Sequence, residues 1–263
     1  MRIIKAPLCA GALSKRGGVE KGANAVESHL KDFYVNEAGF APSFEVEALE
    51  LDNSNLEECH EKIYSAAETA LKKQGFPLII GGDHSLTHPA FKAFVRQNPG
   101  AGLIVFDAHP DCQDMQNPPT HEDYLRVLIE DGTLDAERVA LIGARNMSAE
   151  EKKFLSDRKI KSYSMKEISL EGMREVCDSV MSVARQWPKA YLSIDIDVLD
   201  SAFAPGTGYS EPGGLTTREL IYFVQRLKLL RNLGMADLVE VNPEKDVADM
   251  TSKAAAKVIV ELA

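Results

Sequence analysis

Phe106-Asp107-Ala108-His109-Pro110-Asp111 follows directly on the apolar run Gly102-Leu103-Ile104-Val105, so Asp107, His109 and Asp111 occupy every second position. Extended backbone alternates its side chains, and this spacing throws three metal-type ligands onto one side. A buried strand has little reason to offer three polar groups to one face unless something charged is held there. The arrangement recurs. Tyr191-Leu192-Ser193-Ile194-Asp195-Ile196-Asp197 is a second apolar run ending in carboxylates at positions i and i+2, and Gly81-Gly82-Asp83-His84-Ser85 follows a third, Pro77 to Ile80. Three strand ends therefore offer six ligands: His84, Asp107, His109, Asp111, Asp195 and Asp197. Taken singly, an Asp at a strand end is more often a cap and a His more often a hydrogen-bonded structural residue. Together they fall at the carboxyl ends of expected parallel strands, where open α/β sheets build their sites.

The surrounding periodicity supports such a sheet. Leu56 to Lys73 carries Ile63, Ala66, Ala67 and Ala70 at helical spacing and stops at Gly75, the pattern of an amphipathic helix closed by glycine. Strands are expected at Pro77 to Ile80, Gly102 to Phe106, Arg138 to Ile142, Tyr191 to Ile194 and Leu238 to Val241. Helices are expected at Ser85 to Gln97, Glu122 to Glu130, Leu170 to Gln186, Thr217 to Leu230 and Lys253 to Leu262, and Ser148 with Glu151 forms a capping box that opens another. Regular alternation of this kind predicts a three-layer αβα sandwich with a mainly parallel sheet. At 263 residues, 44% of them hydrophobic, the chain suffices for one core, and residues 1–263 are expected to form a single catalytic domain.

Four aspartates brought together repel one another and are costly to desolvate, so the cluster calls for cations. Two divalent ions balance the four charges, and a bridging hydroxide leaves the site near minus one, a charge that favours a cationic substrate. Imidazoles among carboxylates, with no thiolate in the set, suit a metal of the Mn²⁺ type, with Zn²⁺ and Co²⁺ able to compete. Two such ions can share a water and lower its pKa towards neutrality.

Several classes are disfavoured. A net charge of −10 argues against a nucleic-acid surface. No stretch approaches the roughly 20 apolar residues of a membrane span, and the amino terminus has no signal-peptide core. Cys9, Cys59, Cys112 and Cys177 are scattered without a C-x-x-C pair, which favours reduced thiols and a cytoplasmic location.

Gly81-Gly82-Asp83-His84-Ser85, Asp107-Ala108-His109-Pro110-Asp111 and Ser193-Ile194-Asp195-Ile196-Asp197-Val198-Leu199-Asp200 resemble, in order and approximate spacing, the signatures of the ureohydrolase family of arginases, agmatinases and formimidoylglutamases. Ala204-Pro205-Gly206-Thr207-Gly208 through Thr216 and Glu240-Val241-Asn242-Pro243 are similar to two further family segments. The resemblance implies two Mn²⁺ ions: one held by His84, Asp107, Asp111 and Asp195, the other by Asp107, His109, Asp195 and Asp197. It further implies that Asp111 orients the hydroxide, that Glu240 pairs with a substrate guanidinium, that His121 shuttles a proton to the departing amine, and that the protein is a homo-oligomer.

Departures from the pattern accompany the matches. Pro110 stands for the usual Thr, Glu122 for the Gly after the shuttle His, Ser201 for a Pro, and Tyr209-Ser210 for Thr-Pro beside the substrate, while the loop from Asp111 to His121 is short. The function implied is hydrolysis of a small guanidine to urea and an amine. Gly206-Thr207-Gly208 with Glu211-Pro212-Gly213-Gly214 resembles agmatinases more than formimidoylglutamases. Arginase fits less well, because Gly143-Ala144-Arg145 is followed by Asn146, which offers no carboxylate to a substrate α-ammonium. Arginase or formimidoylglutamase activity is the alternative within the family. A single-zinc amide hydrolase or deacetylase would not be expected to keep both carboxylates of the second strand, and a non-catalytic oligomeric member would be expected to have lost ligands; all six are present.

Overall fold

A computed structural model describes residues 1–13 and 17–263. Among the described residues, eight strands form one sheet: β1 (Arg2–Lys5), β2 (Glu45–Ala48), β3 (Pro77–Ile80), β4 (Gly102–Phe106), β5 (Val139–Ile142), β6 (Lys161–Tyr163), β7 (Ala190–Asp195) and β8 (Leu233–Val239). Their order is β2-β1-β3-β8-β7-β4-β5-β6, and every neighbouring pair is parallel. The helices are α1 (Gly22–Leu30), α2 (Leu56–Leu71), α3 (Thr87–Gln97), α4 (Tyr124–Glu130), α5 (Ala149–Asp157), α6 (Met165–Glu171), α7 (Met173–Ala184), α8 (Thr217–Leu227) and α9 (Met250–Leu262).

Strand alternation divides the core into two layers. Ile104 and Phe106 of β4, Leu192 and Ile194 of β7 and Leu238 of β8 pack with Val26 of α1, Val180 of α7, Phe223 of α8 and Ile259 of α9. Leu103 and Val105, Tyr191, Met235 and Val239 face the other way, against Ile63 of α2, Phe91 of α3, Leu128 of α4 and Leu155 of α5. Because β3, β4 and β7 are buried along their whole length, they read as continuous apolar runs, as parallel strands covered on both faces do. The expected three-layer αβα sandwich is the fold.

Several boundaries differ for local reasons. The helix expected over Leu170 to Gln186 is two, because Gly172 has φ 99°, a left-handed conformation that glycine alone adopts cheaply; Ser164 and Glu167 then form a capping box that opens α6. The strand expected at Leu238 to Val241 begins at Leu233 and ends at Val239. Glu240 lies beyond it at φ 64°, which turns its side chain out of the strand alternation. The helix expected from Glu122 starts at Tyr124. Asp107, His109 and Asp111 do not continue an extended strand: β4 ends at Phe106, the Asp107 carboxylate accepts the His109 N–H at 2.7 Å, and Asp111 has φ 50°. A turn, rather than strand alternation, converges the three.

Candidate metal centre and cavity

β3, β8, β7 and β4 are consecutive in the sheet, and their carboxyl ends carry, in that order, His84, Glu240, Asp195 with Asp197, and Asp107 with His109 and Asp111. The strand spacing of about 4.8 Å brings residues far apart in the chain into one cluster. The backbone there is tightly packed: a side chain at Gly82 would place its Cβ 1.7 Å from the Leu8 carbonyl oxygen, so only glycine lets β3 turn at that point.

His84 Nδ1 lies 3.0 Å from Asp107 Oδ2, 3.0 Å from Asp111 Oδ2 and 3.3 Å from Asp195 Oδ2. His109 Nδ1 lies 3.1 Å from Asp197 Oδ2 and 3.4 Å from Asp107 Oδ1. Two sets of ligand atoms, one of His84, Asp107 and Asp111 and one of Asp107, His109 and Asp197, each fall within 4.8 Å of one another. Asp107 belongs to both sets. All six residues that the sequence singles out therefore meet.

Each imidazole is anchored through its far nitrogen. Ser193 Oγ donates to Asp237 Oδ1 at 2.7 Å and lies 2.9 Å from His84 Nε2, so its oxygen is the acceptor for His84 Nε2–H and Nδ1 keeps its lone pair for the cluster. The Tyr124 hydroxyl also approaches Nε2, at 3.0 Å. Asp237, buried within β8, additionally accepts Tyr191 OH at 2.7 Å and Thr87 Oγ1 at 2.9 Å. His109 Nε2 faces Glu211 Oε1 at 3.3 Å, and that oxygen also accepts the Asn146 amide at 2.7 Å. Sequence reasoning passed over Ser193, Tyr124, Asp237 and Glu211. A lone carboxylate inside the apolar run Leu233-Gly-Met-Ala-Asp237-Leu-Val239 was the available signal for one of them.

The electrostatics follow from burial and crowding. Burial pushes the Asp111 carboxyl up to about 8, aided by the charge of Asp107. Burial with Asp197 and Asp107 holds Asp195 well above the carboxylate range, and burial also raises Asp197. Asp107 moves down against its own burial, drawn by the neighbouring His109 and His84 rings. Burial opposes charge on His84, yet Tyr124 and the three carboxylates raise it well above its usual value. The cluster is thus short of positive charge and retains protons to compensate. His84 Nδ1 and Asp107 Oδ2 are buried without a hydrogen-bond partner. Such atoms, with this donor set, fit divalent cations.

Beside the cluster, Glu240 Oε1 accepts the His84 backbone N–H at 2.9 Å and lies 3.1 Å from His121 Nδ1. The His121 ring is buried; burial works against its charge, but Glu240, Asp83 and Asp111 raise it to about 9. The short loop before it is stiffened by Asp123, whose carboxylate accepts from the Gln116 and Thr120 backbones, at 2.6 and 2.7 Å. Tyr209 stands over the centre, its ring 5.4 Å from His109 and 6.0 Å from His121. These residues, with Gln113, Glu122, Asn146, Met147, Ser148 and Glu151, line a cavity of about 370 Å³. Cys112 beside Asp111 is buried, its thiol donating to the Pro110 carbonyl at 3.2 Å, in keeping with a packing role.

A three-layer α/β protein whose central strand ends gather two imidazoles and four carboxylates belongs to a recognisable class of metal-site architectures. The chain belongs to the arginase family, whose sequence profile matches residues 1–263. It is 39% identical over 191 residues to the guanidinopropionase of Pseudomonas aeruginosa, covering 71% of this chain and 59% of that protein. It is 36% identical over 188 residues to the formimidoylglutamase of Halalkalibacterium halodurans, covering 70% and 59%. The matched stretch thus spans less than two thirds of these two relatives. The crystal structure of formimidoylglutamase from Bacillus subtilis superimposes with a TM-score of 0.94 at 26% identity, covering 99% of this chain and 85% of that one. No helix among the described residues is long and apolar enough to cross a membrane.

Proposed function

We propose that residues 1–263 form a single catalytic domain that hydrolyses a guanidine compound to urea and an amine, with two manganese ions bound and agmatine or a similar decarboxylated guanidine preferred. The observation that carries this reading is the sharing of Asp107 between two ligand sets, together with the buried, unpartnered His84 Nδ1 and Asp107 Oδ2. His84, Asp107, Asp111 and Asp195 would hold one ion and Asp107, His109, Asp195 and Asp197 the other. When bound, the pair supplies an activated water at neutral pH and Lewis-acid stabilisation of the developing charge.

The chain's own residues do the rest. Glu240 engages His121 and the His84 amide through Oε1, and its second oxygen is the one we assign to the guanidinium, held as a charge-assisted pair. His121, with Glu240 on Nδ1 and a buried, unpartnered Nε2, carries the proton that the leaving amine takes up. Tyr209 covers the two imidazoles and limits water access. Formimidoylglutamate and 3-guanidinopropionate, which the relatives' names suggest, end in carboxylates; among the described lining residues the charged groups other than imidazoles are all acidic, which favours a tail without one. Elemental analysis, with urea release from agmatine, arginine and 4-guanidinobutyrate and formamide release from formimidoylglutamate, tests the reading. It expects two ions per chain and the highest kcat/KM for agmatine, and metal content at or below one with no urea from any guanidine would defeat it.

A further inference from the structure

Glu122 and Tyr209 come from different loops, 87 residues apart, yet the Tyr209 hydroxyl donates to Glu122 Oε1 at 2.7 Å. Both line the cavity above the acidic cluster. Glu122 Oε1 is also 3.9 Å from His121 Nε2, while Glu240 Oε1 is 3.1 Å from Nδ1 of the same ring. One imidazole therefore separates two carboxylates: Glu240, buried beside the cluster, and Glu122, whose side chain is 37% exposed at the cavity's outer side.

We propose that Glu122, held by Tyr209, is a receptor for a second positive charge on the substrate, so that the cavity selects a short molecule cationic at both ends. This rests on the reading of Glu240 as the guanidinium partner. An aliphatic amine keeps its proton at neutral pH, as lysine does with a reference pKa near 10.4, so a guanidine bearing a terminal amine presents two cations a few methylenes apart. An imidazole's width plus two contacts is the span such a chain bridges. The Tyr209 hydroxyl fixes one oxygen of Glu122 and restricts its rotamers, so less freedom is lost when an ammonium arrives. Among the described residues lining the cavity, Gln113, Glu122, Asn146, Met147 and Ser148 offer no cationic side chain to a carboxylate tail. Glu151 is already engaged, accepting from the Cys112 and Ser148 backbones and from Gln113, which leaves Glu122 as the acid on this side for a ligand.

The test compares agmatine, n-butylguanidine and 4-guanidinobutyrate, which share a guanidine end and carry a cationic, neutral or anionic tail. Their affinities for Mn-loaded protein are measured by calorimetry in parallel with urea release. The native protein is expected to bind agmatine about tenfold or more tightly than n-butylguanidine and 4-guanidinobutyrate most weakly. Glu122→Gln should collapse the agmatine to n-butylguanidine ratio to within about twofold of unity, Tyr209→Phe should lower it partly through KM rather than kcat, and Glu122→Lys should move preference to 4-guanidinobutyrate. Circular dichroism and metal content matching the native protein confirm folding of each variant. Tail-selective binding without urea release would defeat the hydrolytic reading and leave the receptor standing. Equal affinities for agmatine and n-butylguanidine in the native protein, or a ratio untouched by Glu122→Gln, would overturn the receptor whatever is hydrolysed.

Discussion

The loss of Asp107 should do heavy damage to metal binding, because it belongs to both ligand sets, as Asp195 does in the proposed two-ion arrangement. If each of two ions is present at about a hundred times its dissociation constant, each stabilises the folded state by about 2.7 kcal/mol, so the pair contributes about 5 kcal/mol. For a chain of this size a stabilisation of 1 kcal/mol raises Tm by about 2–4 °C, so native protein should melt about 10–20 °C higher with Mn²⁺ than with a chelator. In Asp107→Ala that difference should nearly vanish and bound metal should fall from two per chain to below one. Asp197→Ala removes a ligand of one set only, so it should keep about one ion and about half the melting difference. Comparing each variant with and without metal cancels the change in its apo stability. Differential scanning calorimetry with elemental analysis of the same samples reads both quantities. Two ions retained by Asp107→Ala, or a native Tm indifferent to Mn²⁺, would refute the shared-ligand reasoning.

Three further outcomes are expected. His121→Asn should lower kcat by about 10²–10⁴ with metal content unchanged; turnover at the native rate in steady-state assays would place its imidazole outside the proton path. Ser193→Ala removes the acceptor that orients His84 Nε2–H, and should weaken metal affinity by about 10–100-fold in a competition titration with a chelating dye, whereas unchanged affinity would assign the orientation to Tyr124 alone. The metal-dependent rise in Tm should itself depend on pH. Burial raises the folded-state pKa of Asp111 to about 8, from about 3.9 in the unfolded chain, so the apo protein holds a proton that the unfolded chain has lost between those values and its stability falls as pH rises. Bound ions displace that proton, so the gap between loaded and chelated Tm should widen from pH 6 to pH 8.5, and a constant or narrowing gap would contradict it.

The six cluster residues were legible because each sits at the end of a buried apolar run, where an acid or imidazole conflicts with its surroundings and so announces a purpose. The central strands were legible for the same reason. β2 was not: all four of its residues, Glu45-Val-Glu-Ala48, are exposed at the sheet edge, where neither burial nor alternation imposes a pattern. β1 buries only Ile3 and Ile4 between half-buried Arg2 and Lys5, and β6 buries none of its three residues, so neither presents the fully apolar run that β3 and β5 do. The supporting residues were hidden differently. Ser193 and Tyr124 are ordinary residues for a strand and a helix start, and their bonds to His84 span 109 and 40 residues, so their part emerges only when β7 and α4 are set beside the end of β3.

The two ends of the cavity rest on different kinds of structure, and this bears on how specificity changes. The metal end is fixed by four adjacent strand ends and by a buried chain of bonds from His84 through Ser193 to Asp237, in which truncating one partner strands another polar group in the core. The outer end is built from Glu122, Tyr209 and Asn146 on loops, partly solvated, where a substitution leaves nothing buried unpaired. Tail recognition can therefore change while the cluster stays intact. That division is why variants at Glu122 and Tyr209 are the ones that would separate binding of the tail from chemistry at the guanidine.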